Sequence, residues 1–150
     1  MSWLSGVEMK EKIKQHADTA TQDAFHGVFS MDQLPFAVPH YPFFMIINTQ
    51  AHNLPGEHWI TVFIDKDKRG EVFDSLALPL SNTLIRWLNR FTRSFHVNRF
   101  AYQHPLSPTC GAFAVFYTLH RLKDSDCVSN MFSTSLYDNV KCVEAFYHTL

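Results

Sequence analysis

The stretch from Cys110 to Lys123 constrains this chain more than any other, because as a helix it is apolar on nearly every side. Such a helix cannot lie on a surface and must be covered all round. The flanking sequence supplies the cover. Trp59 to Ile64 is β-branched and aromatic and predicts a central strand. Asp65 to Gly70 reads as a hairpin turn and Glu71 to Asp74 as the returning strand. Phe43 to Ile47, bounded by Pro42 and Asn48, predicts a buried strand. Phe25 to Pro42 carries one glycine and three prolines and predicts ordered coil or very short strands.

Helices account for the rest. The first twenty residues read as one helix, with Ser5 and Glu8 in the form of a capping box and Val7, Ile13 and Ala17 as its apolar face. Ser81 caps a second, whose apolar face is Leu84, Ile85, Leu88 and Phe91. Val97 to Tyr102 predicts another strand. Leu136 to Leu150 predicts a last helix, with Leu136, Val140, Val143, Phe146 and Tyr147 on one side. The order predicts an α+β domain spanning residues 1–150, a small mixed or antiparallel sheet packed against helices.

Composition excludes several classes. With 46% apolar and 18% charged residues the chain can build a core, so global disorder is ruled out. A net charge of −1 removes the usual argument for bulk nucleic-acid or anionic-membrane binding. The three cysteines, Cys110, Cys127 and Cys142, are an odd number without a CxxC pair. They argue against a disulfide framework or a zinc ribbon and for a reducing compartment. The first residues lack a signal-peptide pattern, and the longest apolar runs fall far short of a membrane span. The expectation is an intracellular protein that is not secreted and does not engage a membrane.

Four residues carry chemistry in combination. Cys110 follows Pro108 and Thr109 where the apolar helix begins, and a helix N-terminus favours the thiolate. Taken alone, a small buried core residue is the commoner role for a free cysteine. A thiolate needs an acid–base partner held by a third group. His58 opens the central strand and Asp74 closes its hairpin partner, so the hairpin would bring both to one end of the sheet. Singly, a solvated strand-edge histidine and a turn-capping aspartate are the ordinary readings. Gln103, at the predicted end of a strand, offers a side-chain amide for an oxyanion.

The order His58-Trp59, Asp74, Gln103, Cys110-Gly111 resembles the adenovirus-protease and Ulp-type branch of cysteine peptidases. The likeness is closer to the adenovirus protease (adenain) group. The run Phe25 to Pro35 (FHGVFSMDQLP) looks like that group's lead-in, and Ile46 to Thr49 (IINT) followed by His58-Trp59 like its approach to the histidine. The resemblance implies an adenain-like fold and a cysteine endopeptidase. In it Cys110 is the nucleophile, His58 its partner, Asp74 the orienting acid and Gln103 the oxyanion donor. It also implies Trp59 and Gly111 as substrate-binding positions, Trp59 as a wall selecting small residues. The implied substrates are polypeptides, typically viral structural precursors cut near glycine, and the implied location is a host nucleus or a virion. An isopeptidase acting on ubiquitin-like tails, or an idle virion component, are the alternatives.

The chain departs from that group in three ways. It is shorter, it lacks a basic excess, and it has no cysteine before Cys110 to tether an activating peptide. Cys127 and Cys142 lie downstream of the nucleophile, Cys142 on the expected buried side of the last helix, so neither is placed to tether such a peptide, and the expectation is a monomer without cofactor or metal. Any activating peptide would be held non-covalently, and nucleic acid would act weakly or not at all. Arg86, Arg90 and Arg93 form a basic stripe best read as a solvated face. Cys127, Cys142, His120 and His148 match no usual zinc spacing.

Overall fold

A computed structural model describes residues 4–50, 58–124 and 131–150. The chain runs α1 (Gly6–His16), α2 (Thr19–Ala24), β1 (Phe25–Ser30), β2 (Phe43–Asn48), β3 (Trp59–Ile64) and β4 (Arg69–Phe73). It continues through α3 (Asn82–Phe91), β5 (Ser94–Val97), α4 (Cys110–Asp124) and α5 (Leu136–His148). The fold is α+β, and its five strands lie in sequence order in one mixed sheet. The outer pairs β1–β2 and β4–β5 are parallel, and β2–β3 and β3–β4 are antiparallel.

β2 and β3 are buried along their whole length, which is why they read as unbroken apolar runs rather than alternating ones. One face of the sheet, with Phe44, Ile46, Trp59, Phe63 and Phe73, packs with residues of α1, α4 and α5. The other, with Phe43, Met45, Ile47, Ile60, Val62 and Ile64, packs on Leu84, Trp87 and Leu88 of α3. α4 lies against the sheet and is buried on nearly all sides, as its composition requires. Each fully buried large side chain contributes roughly 1.5–3 kcal/mol, so these two clusters carry the fold. Gly70 is needed where β5 crosses closest, since a Cβ there would lie 2.9 Å from Thr92 Cγ2 and 3.0 Å from Phe95 Cβ.

Several expectations need correction. The N-terminal helix is two helices: α1 stops at His16, and Asp18 caps α2 by accepting from the Thr21 amide at 2.9 Å. Ser5 does cap α1, but its buried residues are Met9 and Ile13, while Val7 is exposed. The Phe25–Pro42 region contains a full six-residue strand, β1. The turn residues that pointed to coil lie mostly after it, and Gly27, at φ 145°, sits at its register break.

The strand expected over Val97–Tyr102 ends at Val97. Beyond it the Asn98 side chain takes over the backbone pairing: its Oδ1 accepts from the Asp74 amide at 2.9 Å and its Nδ2 donates to the Asp74 carbonyl at 2.7 Å. Trp87 adds to the buried face of α3, with its Nε1 donating to the Pro35 carbonyl at 2.8 Å. In α5 the buried positions are Asn139, Val143 and Tyr147. Cys142 is exposed there, so burial does not argue against a disulfide at that position.

α4 is also fixed at its far end. Glu71 of β4 is buried and accepts from Arg121 Nε at 2.9 Å, from the Tyr117 hydroxyl and from His96 Nε2 at 3.1 Å. Buried Glu71 thus ties β4 to β5 and α4.

Candidate active site

Because β3 and β4 are antiparallel with Thr61 opposite Phe73, the residue before β3 and the residue after β4 meet at one sheet end. They are His58 and Asp74. The imidazole Nε2–H donates to Asp74 Oδ1 at 2.5 Å, with both residues buried. Asp74 is itself held on every side. Oδ1 also accepts from the Leu76 amide at 2.9 Å, and Oδ2 accepts from the Leu78 amide at 3.2 Å. The Ala77 amide closes the turn on the Asp74 carbonyl at 2.9 Å, with Ala77 in the left-handed region at φ 52°. A non-glycine residue there costs on the order of 1 kcal/mol. The five-residue turn from Asp74 to Leu78 is thus built around the carboxylate.

With Nε2 occupied, Nδ1 is the ring atom left for proton exchange, and it is buried. Cys110 is the first residue of α4 and is buried beside this ring. α4 is set on β3 partly through the Thr61 hydroxyl, which donates to the Ala114 carbonyl at 3.4 Å. Burial pulls the His58 pKa down, but the hydrogen bonds and charges of Asp74 and Cys110 outweigh it and raise the value from 6.5 to about 9. The arrangement therefore favours the charged form of the His58 ring.

Gln103 lies in the loop after β5, not at the end of a strand, and is buried. Ser75, next to Asp74, fixes it twice. Its carbonyl accepts the Tyr102 and Gln103 amides at 2.8 and 3.0 Å, and its hydroxyl donates to Gln103 Oε1 at 2.5 Å. Gln103 Nε2 donates to the Ser107 carbonyl at 2.6 Å. A primary amide has two N–H bonds, so one remains for a ligand. Gly111, the second residue of α4, is buried. Trp59 lies in the core cluster, with its Cη2 3.5 Å from where a Cβ on Gly6 would be. Its ring therefore packs against the start of α1.

These geometries can be set beside known proteins. No protein-family model matches the chain, and no curated protein does. Solved structures do. The chain superposes on the ASFV pS273R protease with a TM-score of 0.68 at 18% identity, over 92% of this chain and 64% of that one. The selenomethionine form of that protease matches with a TM-score of 0.59 at 17% identity, over 89% of this chain and 62% of that one. The SUMO protease Ulp1, with its catalytic cysteine oxidised to a sulfinic acid, matches with a TM-score of 0.43 at 18% identity, over 67% and 48%. The likeness is one of fold. The chain spans less than two thirds of the length of the ASFV protease it matches.

Two polar residues that hold the site were not picked out from sequence. Ser75 looks like ordinary turn chemistry after a strand, and only the fold shows that it joins Asp74 to Gln103. Asn98 falls inside the strand expected from Val97, which hid its role as a clamp on Asp74. A polar side chain in an otherwise strand-like run was the available signal. Arg86, Arg90 and Arg93 are exposed, with Arg93 beyond α3. His120 Nδ1–H donates to the Phe116 carbonyl at 2.8 Å, and its ring stacks on Phe116. Cys127 lies outside the described residues. Among the described residues no three His, Cys, Asp or Glu side chains group to hold a metal. Among them, too, no helix is long and apolar enough to cross a membrane.

Proposed function

We propose that this chain is a cysteine endopeptidase, with Cys110 as nucleophile, His58 as acid–base, Asp74 as orienting acid and Gln103 as oxyanion donor. The observation that carries the reading is His58, held by Asp74 through Nε2 at 2.5 Å with the Cys110 thiol acting on the same ring at a helix N-terminus. The fold likeness to the ASFV protease supports it.

In this mechanism the Cys110 sulfur attacks the scissile carbonyl carbon, and the electron pair moves to the carbonyl oxygen. That oxyanion accepts from the spare N–H of Gln103 and from the Cys110 amide. Collapse expels the amine, which takes the proton from His58 Nδ1 and leaves a thioester. Water then attacks the thioester and gives a proton to Nδ1, which releases the acid and restores the imidazolium–thiolate pair. Asp74 keeps Nε2–H in place throughout and stabilises the imidazolium.

Substrates on this reading are viral structural precursors cut near glycine, in a host nucleus or a virion, with the enzyme acting as a monomer. The lead-in and histidine motifs support that substrate class. The reaction needs no cofactor. Any activating peptide binds non-covalently, and nucleic acid acts weakly through the exposed arginines. The test is incubation with a peptide vinyl sulfone followed by mass spectrometry. A single adduct mapped to Cys110, lost in His58→Ala, supports the proposal; labelling at Cys142 with Cys110 untouched refutes it.

A further inference from the structure

A cavity of about 190 Å³ opens beside the His58–Asp74 pair. Besides those two residues, its walls are mainly Met31, Ile60, Leu78, Leu80 and Leu84. It is too small for a metabolite-sized ligand, which needs some 300–1,000 Å³. It is large enough for one side chain, since an apolar cavity of about 150 Å³ holds a benzene ring. Among the described residues no lysine or arginine lines it, the one cationic group, the His58 ring, is already paired with Asp74, and the Asp74 carboxylate is committed to that ring and two backbone amides. Leu78 lines it and is 49% exposed, and Met31 is steadied by the Ser81 hydroxyl, which donates to its sulfur at 3.3 Å.

The mechanism fixes which part of a substrate passes here. The leaving amine must sit at His58 Nδ1 to be protonated, so the chain downstream of the scissile bond leaves across the histidine. The cavity flanks that histidine. Resting on the proposed peptidase reading, we infer that this cavity is a specificity pocket for an uncharged aliphatic side chain, Leu, Ile or Met, within two residues downstream of the cleaved bond. Leu78, Leu80 and Met31 set its size. Glycine near the bond and an aliphatic residue just beyond it are compatible, because they occupy opposite sides of Cys110 and His58.

The experiment is cleavage of a proteome-derived peptide library by the full chain, with new N-termini read by mass spectrometry. Enrichment of Leu, Ile or Met in the first two downstream positions is the expected result. Matched peptides carrying Leu or Gly at the enriched position are then compared on Leu80→Phe, which fills part of the cavity from a half-buried wall that holds none of the catalytic groups. The kcat/KM for the Leu peptide should fall tenfold or more, and that for the Gly peptide less than threefold, as for loss of an apolar pocket. A flat or charged downstream profile, or equal losses on both peptides, overturns the pocket while Cys110 labelling and cleavage leave the peptidase reading standing. No cleavage together with no Cys110 labelling overturns both.

Discussion

Asp74→Asn tests the electrostatics of the site with the least change of shape. Asn keeps an oxygen that can accept from His58 Nε2 and the Leu76 amide. Its NH₂ then faces the Leu78 amide where Oδ2 accepted at 3.2 Å, so two donors oppose each other. The raised His58 pKa, from 6.5 to about 9, represents roughly 3 kcal/mol in favour of the imidazolium after burial has been overcome. Asp74 supplies a charge-assisted buried hydrogen bond, about 1.5–3 kcal/mol, so removing its charge should lower the pKa by about one to two pH units.

The His58 ring can be followed directly by nitrogen-detected NMR titration, assigned with His58→Gln. The native ring should titrate near 9 and the variant near 7 to 8. The sign for stability follows from the raised value. Stabilisation from the charged ring is fully present below about pH 6.5 and is lost as pH rises through about 9. Urea midpoints of the native protein should therefore fall from pH 7 to pH 9.5, and those of Asp74→Asn should fall less. Peptidase activity should drop more than tenfold in the variant, and the alkaline limb of kcat/KM should move down with the NMR value. A native His58 that titrates near 6.5, or an alkaline limb unmoved by Asp74→Asn, would refute the coupling.

Other outcomes follow from the same contacts. Cys110→Ala should abolish turnover with an unfolding midpoint close to native, since it trims a small side chain, whereas Cys142→Ala on the exposed face of α5 should retain activity. Gln103→Ala should reduce kcat by ~10²–10³ with little change in KM; an unchanged kcat would show that the amide only ties Ser75 to Ser107. Asn98→Ala unpairs the buried amide and carbonyl of Asp74 and should cost about 2–5 kcal/mol by urea denaturation, with activity falling further than folding explains. Arg121→Met leaves Glu71 buried with less compensation and should cost about 3–5 kcal/mol, partly recovered when Glu71→Leu is added.

Much of this architecture was legible in sequence because its central elements are extreme. An apolar α4 and unbroken apolar β2 and β3 can only be buried, and the Asp65–Gly70 turn fixes the hairpin that brings positions 58 and 74 together. What escaped detection was set by partners distant in sequence. β1 is specified by parallel pairing with β2 across the residues 31–42 connection, which local turn propensity cannot report. β5 stops at Val97 because a side chain, Asn98, replaces the ladder, and nothing local distinguishes that from a continuing strand. Trp59 sits next to His58 in sequence, and its contact with the start of α1 is equally distant. The resemblance that brought His58, Asp74, Gln103 and Cys110 together carried no information about the two residues, Ser75 and Asn98, that lock their backbones.

Those locks have a physical reason. An imidazolium and a carboxylate taken out of water lose several kcal/mol of hydration each, and their mutual attraction offsets this only with good geometry and satisfied remaining groups. His58 and Asp74 stand where the two hydrophobic clusters of the sheet meet its end, so neither cluster alone can hold them. The compensation is local: Leu76 and Leu78 amides on the carboxylate, Asn98 on its backbone, and Ser75 carrying the constraint across to Gln103. Because Ser75 follows Asp74 directly, any displacement of the acid also displaces the amide proposed to hold the oxyanion. The position of Cys110 is set by a second group of contacts on the same strands, α4 being seated on β3 through Thr61 and anchored at its far end by Arg121 and Tyr117 on Glu71 of β4. The two groups of contacts therefore meet at the His58 ring. The core energy of a chain this size, of order 0.1 kcal/mol net per residue, has to sustain that meeting point, which explains why the groups around it are so thoroughly hydrogen-bonded.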